Sequence, residues 1–213
     1  NVNLNTTSTR RANSVAFDVR ELGRTLTDPA SGKPLKDANG EPLRQPGVLK
    51  GVKGIGWYIE EYGIAQISMN ITDISATPLH IAFEECCKSA DRRGMRVTGS
   101  ELVGLVPLYV MLEAGRYFLK KQQRSAGVSE EELIKIAVKS MGLDELAPFD
   151  PQRKIIEYNI AQDDPAAAKK LVRKDLRAFA NEAASESVAP GGGSISAYVG
   201  ALGVSLATMV ANL

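Results

Sequence analysis

The stretch that decides the fold is residues 48–72, which read VLKGVKGIGWYIEEYGIAQISMNIT. Two runs rich in β-branched and aromatic residues, 48–59 and 64–72, predict two β-strands. The loop between them ends in Gly63, and glycine suits the left-handed position of a three-residue hairpin. In the second run polar and apolar residues alternate, which predicts one buried and one polar face. The apolar set is Ala65, Ile67, Met69 and Ile71, and the polar set is Gln66, Ser68 and Asn70.

The length of this loop predicts how the two strands pair. A loop of Glu61, Tyr62 and Gly63 gives the pairs Tyr58–Gln66, Gly56–Ser68 and Gly54–Asn70. One face would then carry two glycines beside three hydrogen-bonding side chains. The other face would bury Ile55, Trp57 and Ile59. The glycine-lined face would admit a flat ligand, although a solvated sheet face that tolerates glycine would have the same sequence.

The sequence on both sides of the hairpin predicts alternating strands and helices. Residues 2–5 predict a short strand. N-caps for a helix that ends near Gly23 are offered by Asn5, Thr6, Thr7 and Ser8. The apolar stripe of this helix is Ala12, Val15, Ala16, Val19 and Leu22. The segment 25–47 predicts a long loop, because it is rich in Pro, Gly, Asp and Asn.

After the hairpin, Thr77 and Pro78 predict the N-cap and first residue of a second helix. A further strand is predicted within 95–106. Residues 1–106 thus have the order β-α-β-β-α-β, which is typical of ferredoxin-like sandwiches. The predicted fold class is therefore α+β: a ferredoxin-like βαββαβ sandwich followed by helices.

The remaining sequence predicts mainly helices. Pro107 begins one, and Ser129 with Glu132 forms a capping box for another that reaches residue 141. Residues 143–164 predict irregular structure, and 166–184 predict an amphipathic helix with Leu171, Val172, Leu176, Phe179 and Ala183 inward. The nearly uncharged segment 195–213 needs apolar partners on all sides. It therefore predicts the start of an all-α bundle and a homo-oligomer.

Composition narrows the class of protein. Lys and Arg number 26 and Asp and Glu 25, a balance that argues against a nucleic-acid binder. We expect no apolar run of the ~18 residues that a membrane span needs, and therefore no membrane partner. The only cysteines, Cys86 and Cys87, are adjacent and predict no disulfide, which suits a cytoplasmic protein. The first residue is Asn1, so we expect a piece of a longer protein.

Few residues offer chemistry. Cys86, Cys87 and the single histidine, His80, cannot supply an ordinary zinc site, so no metal is expected. His80 falls in the first turn of a helix, off the apolar stripe, and we expect an incidental surface residue. Lys50 and Lys53 lie in a stretch without acids and could bind carboxylates as point charges, although exposed lysines are often simply solvated.

Four ordered blocks resemble the formimidoyltransferase-cyclodeaminase family over nearly the whole chain. They are GVLKGVKGIGWYIEEYGIAQISMNITD (47–73), VTGSELVGLVPL (97–108), LAPFDPQRKIIEY (146–158) and SESVAPGGGSISAYVGALG (185–203). The resemblance implies the second half of a transferase domain at 1–143, a linker with a helix at 144–184, and a truncated start of the helical cyclodeaminase at 185–213. The missing first transferase half is then an expected partner.

The resemblance also implies a function. The family transfers a formimino group from N-formimino-L-glutamate to tetrahydrofolate in histidine breakdown, and its cyclodeaminase then closes the ring and releases ammonia. The family's catalytic histidine belongs to the first transferase half, so no catalytic residue is expected here. This implies a folate-binding half whose substrate is polyglutamylated tetrahydrofolate. The alternatives are a non-catalytic module that only binds folate or assembles, and a ferredoxin-like RNA binder, for which the polar face offers only Tyr58 as an aromatic.

Resemblance and hairpin together predict a folate surface. The family's folate contact at the glycine of a Pro-Gly-x-Leu-Lys block corresponds to Gly47. The predicted binding residues are Gly47, Lys50, Lys53, Gly54, Gly56, Gln66, Ser68 and Asn70. Lys53 has the parity of Trp57, whose face is predicted to be buried, so Lys50 is the preferred contact for the glutamate tail.

Overall fold

The computed structural model describes residues 1–162 and 170–213, and it confirms the α+β class and the β-α-β-β-α-β order. The strands are β1 (Val2–Leu4), β2 (Arg24–Thr25), β3 (Arg44–Gln45), β4 (Val52–Ile59), β5 (Ile64–Ile71) and β6 (Val97–Ser100). The helices are α1 (Thr9–Val19), α2 (Leu79–Asp91), α3 (Leu108–Lys121), α4 (Glu130–Met141), α5 (Pro151–Lys154), α6 (Ile156–Gln162), α7 (Leu176–Ala183) and α8 (Gly192–Ala211).

The described chain divides into two compact units, residues 1–104 with 135–149, and residues 105–134 with 150–213. The first contains a four-stranded sheet of order β4-β5-β1-β6, in which every neighbouring pair is antiparallel. This is the strand order of a ferredoxin-like sandwich. The boundaries at residues 143 and 184 inferred from the family resemblance stay predictions.

Helices α1 and α2 pack on one face of this sheet, here called the covered face, where the core lies. Its sheet residues include Val2, Leu4, Ala65 and Ile67, and its helix residues include Ala12, Val15, Ala16, Val19, Ala82, Cys86 and Ala90. Burial raises the pKa of the Cys86 thiol well above its usual value, so this cysteine is an inert core residue. The opposite face, which carries Asn3, Trp57 and Gln66, is called the open face.

Three details of the predicted helices are wrong. Leu22 is exposed, because α1 ends at Val19, before the last residue of the predicted stripe. Thr77 does not cap α2: its hydroxyl donates to the Lys50 carbonyl, and Pro78 holds the N-cap position. His80 is only 4% exposed, so it is a buried residue and not the surface residue that we expected.

The predicted loop 25–47 is a small arm that pairs its own backbone. Strands β2 and β3 form its base, and Leu26, Leu35 and Leu43 exchange backbone hydrogen bonds above it. Asp28 and Asp37 each begin a turn by accepting backbone N–H groups two residues and more ahead. The arm therefore contains two similar turns, in DPASGKPL (28–35) and DANGEPL (37–43).

In the second unit, Gly115 on α3 leaves no room for a side chain, since a Cβ there would lie 2.3 Å from the Leu133 carbonyl oxygen. Residues 151–162, predicted as irregular, are the helices α5 and α6. Asp150 accepts from Gln152 N as an N-cap and Pro151 follows it, a start signal that sequence reasoning overlooked. The predicted helix 166–184 begins outside the described residues. Its described part is a 3-10 turn at Leu171–Arg173 followed by α7, with Val172 and Leu176 exposed.

Helix α8 confirms the helix predicted at the end of the chain. It spans Gly192–Ala211, and none of its residues is buried. By length and composition alone it is apolar enough to cross a membrane, so the expectation that no run is long enough is wrong. The same composition is found in core helices of soluble proteins.

Candidate ligand-binding face of the sheet

The hairpin has a four-residue turn, so the predicted pairing is wrong by one residue. Ile59 pairs with Ile64, and the turn comprises residues 60–63, with Gly63 N–H donating to the Glu60 carbonyl at 3.2 Å. One additional turn residue moves every β4 side chain to the opposite face relative to β5. Gly56 therefore lies opposite Ile67.

This register exchanges the two faces of β4. Gly54 and Gly56 lie on the covered face, while Ile55 and Trp57, predicted to be buried, are 56% and 43% exposed on the open face. The geometric ground for a glycine-lined polar face is therefore wrong. Gln66, Ser68 and Asn70 do share the open face, but beside Trp57, Ile55 and Lys53.

The two glycines serve the packing of α1. A Cβ at Gly56 would lie 2.2 Å from Asn13 N, so only glycine admits the helix at this distance. Asn13 also accepts from Gly56 N–H at 3.0 Å and donates to the Gly56 carbonyl at 3.1 Å. Arg20 donates to the Gly54 carbonyl at 3.1 Å. These bonds satisfy three backbone groups on the outer edge of β4, the last strand of the sheet.

The open face contains a chain of four hydrogen-bonded side chains. Trp57 Nε1 donates to Gln66 Oε1 at 3.3 Å, and Gln66 Nε2 donates to Asn3 Oδ1 at 2.7 Å. Asn3 Nδ2 then donates to the Glu145 carboxylate. Asn3 and Gln66 are fully buried, so these bonds satisfy amides that would otherwise destabilise the fold.

The two ends of this polar chain fix its direction. An indole N–H can only donate, and an ionised carboxylate can only accept. Gln66 must therefore turn its oxygen to Trp57, and Asn3 must turn its nitrogen to Glu145. The orientation of both amides follows from chemistry, and it holds the Trp57 ring in place above the sheet.

Glycine also makes room for Glu145. A Cβ at Gly99 of β6 would lie 2.7 Å from the Glu145 Cβ, so glycine at this position lets Glu145, in the segment after α4, lie directly over the strand. Sequence reasoning missed Asn3, Trp57 and Glu145 as members of the site. One signal was available, because Asn3 is a polar residue between two buried ones in the strand VNL.

The positions of Lys50 and Lys53 are the reverse of those expected. Lys53 lies opposite Asn70 and is exposed, so its stem starts on the open face and not on the buried one. Lys50 precedes β4 and lies 3.9 Å from the Glu21 carboxylate, an exposed pair of little energetic weight. The structure therefore favours Lys53 over Lys50 as the cation beside the polar side chains of β5, since Lys53 lies opposite Asn70.

Gly47 has a structural reason of its own. A Cβ there would lie 2.0 Å from the Arg20 carbonyl oxygen. The two residues that follow, Val48 and Leu49, donate backbone N–H bonds to the carbonyls of Asp18 and Val19 at 3.0 Å. This segment thus closes the C-terminal end of α1, and Gly47 lies there because nothing larger fits.

The face combines apolar and polar surface in one place. Ile55 and Trp57 offer exposed hydrocarbon and an aromatic ring, and Ser68 and Asn70 offer donors and acceptors beside them. Such a surface suits a flat ligand that stacks on one side and hydrogen-bonds at its edge.

Comparison with known proteins identifies the class. The pattern of a family described as "Formiminotransferase domain" matches residues 1–161, and the chain belongs to this family. A second family, "Formiminotransferase-cyclodeaminase", matches residues 175–213.

Curated relatives agree with both matches. The chain is 42% identical over 212 residues to formimidoyltransferase-cyclodeaminase of Rattus norvegicus, covering 99% of this chain and 36% of the relative. It is 37% identical over 208 residues to the protein of that name from Dictyostelium discoideum, covering 97% and 35%. Glutamate formimidoyltransferase of Thermoplasma acidophilum is 32% identical over 120 residues, 56% of this chain and 32% of the relative. The chain thus spans about a third of the length of these relatives.

Proposed function

We propose that this chain is the folate-binding half of a glutamate formimidoyltransferase, which transfers a formimino group from N-formimino-L-glutamate to tetrahydrofolate. The observation that carries the proposal is the match of residues 1–161 to the formiminotransferase family. Relatives named only glutamate formimidoyltransferase match part of this chain, which supports the transferase as the activity of this region.

The reaction needs little from this half beyond binding. A C–N bond forms between a folate amine and the formimino carbon, the C–N bond to the glutamate nitrogen breaks, and a proton passes from the attacking to the leaving amine. Such a proton transfer calls for a positioned acid–base group. His80, the single histidine, is buried in the first turn of α2 and takes no such role in this proposal.

The open face is the proposed folate surface. The flat ring system of a reduced folate would lie against Trp57 and Ile55, with Ser68 and Asn70 at its polar edge and Lys53 toward the glutamate tail. The polar chain behind Trp57 supports this because it fixes the ring before any ligand arrives, which lowers the ordering cost of binding.

Trp57 makes the proposal directly measurable, since it is the single tryptophan of the chain. We expect tetrahydrofolate to quench its fluorescence in a saturable titration of the 213-residue chain, and more tightly in the longer protein. Asn70→Ala should weaken binding by about tenfold, because a hydrogen bond at the ring edge is lost.

The matched control is Asn39→Ala in the exposed arm, which removes the same amide away from the open face. Equal affinity of all three proteins would refute the open face as the folate site. Absence of folate binding by the longer protein would refute the proposed function itself.

We also propose that α8 assembles with other helices, because a 20-residue helix without a buried residue exposes apolar side chains that water disfavours. The isolated chain would then act as a binding or assembly module without turnover. Light scattering should find an oligomer for the 213-residue chain, and Leu202→Glu with Leu206→Glu should yield monomers. A monomeric parent chain in dilute solution would contradict this.

The wider setting follows from the same proposal. The substrate pair would place the protein in histidine breakdown, with polyglutamylated tetrahydrofolate as the acceptor. Cys86 and Cys87 form no disulfide, which fits the cytoplasm that we propose as its compartment.

A further inference from the structure

A second group of charges lies in the same unit, around Asp18 near the end of α1. The guanidinium groups of Arg24 and Arg93 both contact its carboxylate, and the Ser89 hydroxyl donates to Oδ2 at 2.7 Å. Arg92 Nη2 lies 3.9 Å from that same oxygen, beyond hydrogen-bond distance. Three positive charges therefore surround one negative charge.

The cluster is preorganised. Arg24 also donates to the Ser14 carbonyl at 3.1 Å, and Arg93 donates to the Ser89 carbonyl at 3.0 Å, so both guanidinium groups are held on two sides. Arg92 is different, because its side chain is 59% exposed and its only ion pair among the described residues is the distant one to Asp18. It is the arginine best able to turn toward a ligand.

The electrostatics leave an excess of positive charge. Burial raises the pKa of Asp18, but the Ser89 hydrogen bond and the charges of Arg24 and Arg93 outweigh it, so the pKa lies below its usual range. The ionised carboxylate thus offsets one of three arginine charges. The pKa of Arg20, on the same helix end, is lowered first by burial and then by the charge of Arg44.

Asp18, Arg24, Arg92 and Arg93 line a pocket of about 360 Å³, a size suited to a small organic molecule. Besides the charged residues, its wall contains Phe17, Pro46 and Val48, together with the Gln45 amide. Apolar side chains next to guanidinium groups do not suit a small inorganic oxyanion, which offers no hydrocarbon to cover them. They suit an anion with a carbon skeleton.

We propose that this pocket binds an organic anion with at least two carboxylates, anchored by Arg92 and Arg93 and packed against Phe17 and Val48. Guanidinium forks match carboxylates in two parallel hydrogen bonds, which gives arginine an advantage over lysine here. The pocket lies among α1, α2 and the base of the arm, on the covered side of the sheet. It is therefore separate from the open face and independent of the proposed function.

Two sources of this chemistry can be distinguished by experiment. One is a free di- or tricarboxylate, and the other is a chain of γ-linked glutamates that belongs to a larger ligand. Calorimetry on the 213-residue chain at fixed ionic strength would compare citrate, γ-triglutamate and inorganic phosphate. We expect the carboxylates to bind more tightly than phosphate, and the tighter of the two identifies the source.

Two variants test the location. Arg92→Gln should weaken carboxylate binding by about tenfold, because a charge-assisted hydrogen bond is lost, while Lys88→Gln, one turn earlier on α2, should leave it unchanged. Val48→Glu should abolish binding by placing a carboxylate at the pocket, whereas Leu22→Glu, equally exposed but outside the lining, should not. Neither Arg92 nor Val48 is buried, so both variants should fold. Equal binding of phosphate and carboxylates, or equal loss in each variant and its control, would overturn the proposal.

Discussion

On the covered face of the sheet, strand β4 presents Gly54 and Gly56, whereas on the open face the same strand presents Lys53, Ile55 and Trp57. The first set is small because α1 must come close, and the second is large and exposed. One strand thus holds the helix layer on one side and a surface for ligands on the other. The comparison teaches that glycine in a strand can indicate the packing of a neighbouring helix as well as a ligand.

The largest expected effect separates two glycines of the covered face. Gly56→Ala would place a Cβ 2.2 Å from Asn13 N, and we expect a loss of at least about 3 kcal/mol in the free energy of unfolding. At Gly54 the nearest atom to a new Cβ is 3.5 Å away, so Gly54→Ala should change stability by less than about 1 kcal/mol. Urea denaturation measures both, and equal losses would break the comparison.

The next effect concerns the buried amides of the open face. Gln66→Leu leaves Trp57 Nε1 without its acceptor and Asn3 Oδ1 without its donor, which should cost about 1–3 kcal/mol in the free energy of unfolding. Adding Asn3→Leu should cost less than the sum of the two single changes, because the orphaned partner is removed. Strict additivity in this double-mutant cycle would show that the polar chain does not act as a unit.

A smaller effect concerns the helices of the covered face: the stability of the fold should fall at acidic pH because of Asp18. The folded-state pKa of Asp18 is lowered, so its ionised form stabilises the fold above the unfolded pKa, and this contribution is lost as pH falls through the folded pKa. Asp18→Asn should therefore reduce the decline in stability below about pH 4. Thermal unfolding across this range would detect it, with Glu61→Gln in the exposed turn as control. An unchanged acid slope would contradict the assignment.

The smallest effect concerns ligand binding on the open face, and it rests on the proposed function. Lys53→Ala should weaken binding of polyglutamylated tetrahydrofolate about threefold more than that of the monoglutamate, and added salt should reduce the difference. Lys50→Ala, which removes the same charge outside the open face, should have no such effect. A larger effect at Lys50 would restore the assignment made from the sequence.

The sequence predicted the sandwich well and the site only in part. The alternation of Ala65, Gln66, Ile67 and Ser68 identifies the two faces of β5, because β5 is a central strand with a neighbouring strand on each side. The faces of β4 depended on one turn residue, Glu60, and no local signal distinguishes a three-residue from a four-residue turn here.

Long-range contacts explain the rest of the errors. Glu145 accepts a hydrogen bond from Asn3, more than a hundred residues away in the sequence, and a side chain at Gly99 would collide with Glu145. The position of His80 on its own helix predicts a surface residue, but the surrounding unit buries it. Such contacts leave no periodic pattern in the sequence, since each depends on where separate elements meet.

The fixed direction of the hydrogen bonds in the polar chain restricts how the sequence of this surface can vary. Each hydrogen bond of this chain needs a donor on one side and an acceptor on the other. A substitution at Trp57, Gln66, Asn3 or Glu145 therefore places two donors together or leaves an acceptor without a hydrogen bond. We therefore expect positions 3, 66 and 145 to vary together among related sequences and hardly ever singly. Independent drift at these three positions in a broad set of relatives would show that the chain is a local accident of this molecule.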